Sequence, residues 1–169
     1  WLYNEITPNY GMKFLQEMEF SKLSPDDYSL SAALGGLTYG LSTVEMAAAF
    51  SAFANSGVYN SPKMYTEVRD SNGETVLKNE GETHVAMKET TAYFMNQMLT
   101  SVVNAGTGTS AKFSGMTIAG KTGTTSSNRD RWFCGYTTHY TAAVWCGYDI
   151  PEQIYLTGSS ANPAARLWK

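Results

Sequence analysis

Met116-Thr117-Ile118-Ala119-Gly120-Lys121-Thr122-Gly123-Thr124-Thr125 is a short β-prone run that carries a lysine, threonine hydroxyls and a mid-strand glycine. At the edge of a sheet, such a strand offers a cation, hydroxyls and an open backbone N–H to a substrate lying along it. Those groups can hold a carboxylate and stabilise the oxyanion of an acyl transfer. The nucleophile that such a strand should face is not evident elsewhere in the chain.

Gly115-Met116-Thr117-Ile118-Ala119-Gly120-Lys121-Thr122 also matches the phosphate-loop pattern GxxxxGK[ST]. That loop requires a helix directly after the lysine. Here Gly123-Thr124-Thr125-Ser126-Ser127-Asn128 is a poor helix start, and the spacer residues read as strand. The context argues against nucleotide binding.

Downstream, aromatic-rich runs predict strands over about 131–138 and 140–148, joined by a short turn near Thr138-His139. With a strand over 116–124 they make an antiparallel meander. Upstream, Ser42-Thr43-Val44-Glu45 is a capping-box pattern with Ser42 as N-cap. The Ala-rich helix that follows stops at Asn55-Ser56-Gly57, and its composition predicts close packing. Asn72-Gly73 between two β-prone runs, 66–70 and 74–78, predicts a hairpin. A second helix is predicted from about Lys88 to Val103, with Ala92, Met95, Leu99, Val102 and Val103 on one face. A short helix near 10–20, a turn or helix start at Ser24-Pro25-Asp26-Asp27, an irregular glycine-rich segment over 34–40, and an N-cap at Asn162 complete the reading. The expected fold class is α+β: a small antiparallel sheet packed with helices.

The 169 residues suffice for one core, and 43% of them are apolar, which excludes a disordered chain. A net charge of −3 gives no electrostatic footprint for nucleic acid, so no nucleic-acid partner is expected. No apolar run is long enough to cross a bilayer. His84 and His139 stand alone, with no carboxylate or cysteine at metal spacing. They read as surface residues, and neither a metal nor a cofactor is expected. Met46, Met87, Met95, Met98 and Met116 read as core filler. Cys134 and Cys146 each precede Gly-Tyr. If their strands pair, a disulfide is thinkable; the preferred reading is two small buried hydrophobes.

Lys121-Thr122-Gly123 is also the third signature of penicillin-recognising serine enzymes. Its flanks strengthen the match. Ile118 to Thr125, Asn128-Arg129-Asp130-Arg131-Trp132-Phe133-Cys134-Gly135-Tyr136-Thr137, and Ala142-Ala143-Val144-Trp145-Cys146-Gly147-Tyr148-Asp149 closely resemble the transpeptidase domain of class A (bifunctional) penicillin-binding proteins. Three upstream segments resemble it too: Leu34-Gly35-Gly36 with Tyr39-Gly40-Leu41-Ser42, Met46 to Phe50 with Phe53 to Gly57, and Val102 to Ala111. The likeness runs from about residue 24 to the end.

The resemblance implies a β-lactamase/transpeptidase-like fold, present as an incomplete domain: residues 1–169 as the C-terminal portion of a transpeptidase domain. It implies peptidoglycan stem peptides as substrates and β-lactams as inhibitors, with a bacterial cell-envelope location on the outer face of the cytoplasmic membrane. Lys121 would supply positive charge for the substrate carboxylate and for proton transfer. Thr122 and Thr124 would offer hydroxyls, Thr124 to the carboxylate, and the Thr124 N–H would be one oxyanion donor. Gly123 would let the acyl chain lie against the strand, and Thr125 would close the substrate-binding run. Asp130 and Trp132 would border the cleft, Trp132 reading equally well as packing.

One departure matters. The family uses Ser-x-x-Lys as nucleophile and base, yet the residues three before each lysine are Tyr10, Glu19, Asn60, Thr75, Val85, Thr109, Ile118 and Arg166. Ser-x-Asn, the second signature, occurs only as Ser126-Ser127-Asn128 and Ser160-Ala161-Asn162, both on the wrong side of Lys121. The expectation is therefore a half-domain, inactive alone, that pairs with a missing N-terminal half or self-associates to cover exposed strand edges. A β-lactamase-like hydrolase and a non-catalytic peptidoglycan- or partner-binding module remain as alternatives.

Overall fold

The computed structural model describes residues 1–156 and 162–169. Residues 160 and 161 of the second Ser-x-Asn match lie outside them. Two short helices open the chain, α1 (Leu2–Ile6) and α2 (Pro8–Glu17), the second with proline in its first turn, where a missing N–H is harmless. Two 3₁₀ turns follow, Pro25–Asp27 and Leu30–Leu34. Helix α3 (Thr43–Ala54) starts at the predicted capping box: the Ser42 side chain accepts the Glu45 N–H, and the Glu45 carboxylate accepts the Ser42 N–H.

The chain leaves α3 through Gly57, at φ +90. A Cβ there would lie 2.2 Å from the Met87 carbonyl oxygen, so only glycine fits. Strand β1 (Val58–Asn60) pairs antiparallel with β4 (Thr83–Val85), and between them β2 (Glu67–Arg69) and β3 (Thr75–Lys78) form the expected hairpin. Its turn is fixed by Asp70, whose Oδ1 accepts the N–H groups of Asn72 and Glu74 at 2.9 Å each. Helix α4 (Glu89–Ala105) then leads into the meander of β5 (Ala119–Thr124), β6 (Arg131–Tyr136) and β7 (Thr141–Cys146). Helix α5 (Pro163–Trp168) is capped by the Asn162 side chain, which accepts the Ala164 N–H at 2.9 Å.

Helices flank the meander on both faces. On one, Ala119 and Tyr136 pack with Leu99 of α4 and with Phe50 and Phe53 of α3. On the other, Phe133, fully buried, packs with Ala164, Ala165, Val103 and Trp168. The Phe133 ring crosses β5 so closely that a Cβ on Gly120 would sit 2.6 Å from it.

Several details differ from expectation. The strands are shorter at their ends, because Thr137 already closes the β6–β7 turn by donating its N–H to the Tyr140 carbonyl. The β1–β4 ladder and α1 were not foreseen; both are too short for a periodic signal. His84 is half-buried rather than on the surface: its ring packs 5.2 Å from that of Tyr59 and its Nε2 bonds the Glu17 carbonyl. Met98 and Met116 are exposed, at 56% and 39%, rather than core filler. Cys134 and Cys146 face opposite sides of the sheet, Cys134 beside Lys121 and Cys146 in the Phe133 cluster, so they cannot bridge.

Candidate active site

Side chains alternate across a strand, so Lys121 and Gly123 project from the same face of β5 as Trp132 and Cys134, their pairing partners on β6. Trp145, paired with Trp132, continues that face onto β7. Over it stands a groove of about 690 Å³, walled by Met46 and Phe50 of α3 and by the segment Leu37–Thr43. Thr122, Thr125 and Asp130 reach its rim.

The β5 backbone alternates as well. Thr125 donates its N–H to the Asp130 carbonyl at 3.3 Å across the β5–β6 turn. Odd-numbered residues therefore aim their backbone groups at β6, and Gly120, Thr122 and Thr124 aim theirs along the free edge. Consistently, the Thr122 carbonyl is taken by the Lys121 Nζ at 2.8 Å rather than by a strand. Lys121 is exposed and has no carboxylate partner among the described residues.

Thr122 and Thr124 turn their side chains to the opposite face. The Thr122 hydroxyl lies 2.8 Å from that of Thr107, in the loop after α4. The Thr124 hydroxyl accepts from the Arg131 guanidinium at 3.2 Å, and Arg131 also donates to Asn128 at 3.0 Å. The Thr125 hydroxyl accepts the N–H groups of Arg129 and Asp130 at 3.1 and 3.0 Å, fixing the turn. The structure thus gathers Lys121, Gly123 and the Thr124 N–H at one edge, with the two threonine hydroxyls behind it.

Sequence reasoning had placed Asp130 and Trp132 at the border of a cleft, and both line the groove. It missed three features. Trp145 donates its Nε1–H to Asp130 Oδ1 at 2.9 Å. Thr107 props Thr122. The Leu37–Thr43 wall is held from behind by Asp27, fourteen residues before Leu41 and 1% exposed. Asp27 accepts the Thr38 N–H and hydroxyl at 2.7 Å each and the Ser24 N–H at 2.8 Å. Hydrogen bonds from Ser24 and Thr38 hold its carboxyl below the ordinary 3.8. The local Ser-Pro-Asp-Asp pattern marked the turn, but nothing in it pointed to Thr38.

A lysine-bearing edge strand of an antiparallel sheet, with helices on both faces and a groove beside it, defines an α+β protein of the β-lactamase/transpeptidase type. The family model described as the penicillin binding protein transpeptidase domain matches residues 9–167, and the chain belongs to that family. It is 42% identical over 168 residues to penicillin-binding protein 1A of Clostridium acetobutylicum, covering 99% of this chain and 20% of that protein. It is 39% identical over 161 residues to penicillin-binding protein 4 of Bacillus subtilis, covering 94% and 25%. The chain therefore spans a quarter or less of the length of these two relatives.

Solved structures agree on the fold. Penicillin-binding protein 1A from Haemophilus influenzae superimposes with a TM-score of 0.76 at 18% identity, covering 97% of this chain and 30% of that one. PonA1 from Mycobacterium tuberculosis in complex with penicillin V gives 0.73 at 24% identity, covering 92% and 46%. The D,D-transpeptidase domain of a peptidoglycan glycosyltransferase from Eggerthella lenta gives 0.64 at 25%, covering 85% and 43%.

Proposed function

We propose that this chain supplies the Lys-Thr-Gly side of a serine D,D-transpeptidase that cross-links peptidoglycan. The carrying observation is the edge of β5: a groove-facing Lys121, a glycine that leaves the strand open, and a Thr124 N–H aimed along an edge with no strand partner among the described residues. In this reading a stem peptide ending in D-Ala-D-Ala lies along β5 with its carboxylate near Lys121.

A serine hydroxyl outside this sequence adds to the penultimate D-Ala carbonyl. The oxyanion is met by the Thr124 N–H, a donor of a kind whose loss typically costs about 3 kcal/mol of transition-state stabilisation. The C–N bond then breaks, and the terminal D-Ala leaves with a proton on its nitrogen. An amine of a neighbouring stem peptide attacks the resulting ester, forming the cross-link and releasing the serine hydroxyl. β-Lactams would acylate the same serine; the likeness to a fold bearing penicillin V supports that part. Thr122, Gly123, Thr124 and Thr125 form the substrate-binding run, with no cofactor or metal. The functional setting is the outer face of the cytoplasmic membrane, held there by a segment other than these residues. No described helix is long and apolar enough to cross a membrane.

Lacking Ser-x-x-Lys, the purified 169-residue chain takes up no fluorescent penicillin covalently. A full-length protein that contains it does so, and loses the label on Lys121→Ala. Covalent labelling of the isolated chain would refute this division of roles.

A further inference from the structure

Asp130 has no part in the chemistry above, yet it occupies the groove. It directly precedes β6, in step with Trp132 and Cys134, and lines the same groove as they and Lys121 do. The Trp145 indole N–H holds its Oδ1, which fixes the carboxylate in one orientation and leaves Oδ2 with no described donor. No lysine or arginine pairs with Asp130 among the described residues. Among the described residues the groove therefore carries a cation without a carboxylate partner, Lys121, and a carboxylate without a cationic partner, Asp130. Lys121 lies opposite Cys134. Asp130 directly precedes β6, four positions before Cys134, a Cα separation of roughly 13 Å at the rise of a strand. Trp132 fills the floor between them.

Opposite charges at two points of a groove, with an aromatic floor between, fit a zwitterionic chain whose aliphatic part crosses that floor. We propose that Asp130 is a specificity residue that receives an ammonium group of the acyl-donor peptide, carried on an aliphatic side chain upstream of the carboxylate that Lys121 receives. This assignment rests on the transpeptidase reading. The spacing matches about four residues of extended chain, or fewer when a long side chain bears the amine.

The test uses the full-length protein that contains this chain and two peptides ending in D-Ala-D-Ala. One carries a free side-chain amine and the other the same amine acetylated. Asp130→Asn keeps an acceptor for the Trp145 N–H and removes only the charge. The variant is expected to lower kcat/KM for D-Ala release from the free-amine peptide roughly fivefold, the scale of a solvent-facing charge pair. The acetylated peptide and the rate of penicillin acylation should stay within about twofold, far less than a lost hot-spot contact. Equal losses on both peptides would make Asp130 a structural residue and overturn the assignment. Should the variant fail to fold, the unsubstituted protein decides: no preference for the free-amine peptide overturns the assignment, and a preference sustains it. Absence of penicillin acylation in the unsubstituted protein overturns the transpeptidase reading, and this assignment with it.

Discussion

Asp27 and Thr38, eleven residues apart, are joined twice: one carboxylate oxygen of Asp27 accepts both the N–H and the hydroxyl of Thr38 at 2.7 Å. The pair ties the segment that walls the groove to the turn at Ser24. Because the Ser24 N–H bond and these two Thr38 bonds depress the Asp27 pKa, their stabilisation is fully present above the ordinary value of 3.8 and is lost as pH falls below it toward the depressed one. Asp27→Ala should lower the melting temperature at neutral pH and speed hydrogen exchange at the Thr38 amide, while flattening the acid limb of stability between pH 4 and lower values. Unchanged exchange at Thr38 would show that the wall is held by something else.

The α3 cap offers a second acid-sensitive contact. Burial pushes the Glu45 carboxyl up, but bonds from Ser42 and Ser21 outweigh it and bring the pKa down to about 2. Its contribution is present above the ordinary 4.5 and disappears as pH falls toward 2. Ser42→Ala removes the cap and should cost about 1 kcal/mol. For a chain of this size that is a fall of about 2–4 °C in Tm, read by thermal melting.

Gly120 and Phe133 should couple. Gly120→Ala brings a methyl to within 2.6 Å of the Phe133 ring and should destabilise by about 1–3 kcal/mol, the usual range for overpacking. In a Phe133→Leu background the same change should cost much less. Strict additivity in a double-mutant cycle by urea unfolding would contradict the packing described for β5 and β6.

The two cysteines should differ in reactivity and remain reduced. Burial pushes the Cys134 thiol up to about 12, and it also raises that of Cys146. Cys134 is 2% exposed at the groove floor, whereas Cys146 is only half-buried. At pH 8 Cys146 should react first with a thiol reagent and Cys134 only on unfolding. Oxidation of the folded chain should give no intramolecular disulfide by mass, since the side chains leave opposite faces of the sheet.

In the full-length protein, Gly123→Val places a branched side chain where a substrate would lie along β5. The Cβ alone meets Trp132 at 3.1 Å. Penicillin acylation should fall at least tenfold, about 1.4 kcal/mol of barrier. Equal acylation rates would place the substrate elsewhere than on this strand.

Much of this fold was legible in local sequence. The Ser42–Glu45 box, the Asn72-Gly73 turn, the apolar face of α4 and the three-strand meander all rest on contacts within a few residues, which composition and spacing record directly. The Lys-Thr-Gly run and its flanks likewise named the family and the residues of the edge. What spacing could not record were contacts made across the fold: Thr107 against Thr122, Trp145 against Asp130, Tyr59 against His84, and the Asp27 anchor behind the groove wall.

By itself, then, the sequence determined which strand carries the lysine and that no Ser-x-x-Lys accompanies it. Strand periodicity and short motifs are properties of neighbouring residues, so they survive in one dimension. Only the tertiary structure decided that Lys121 opens onto a groove while the Thr122 and Thr124 hydroxyls turn away from it, that the cysteines lie on opposite faces, and that Asp130 shares the groove with Lys121. Those outcomes depend on how helices α3 and α5 dock against the two faces of one sheet, where packing between distant residues sets the geometry.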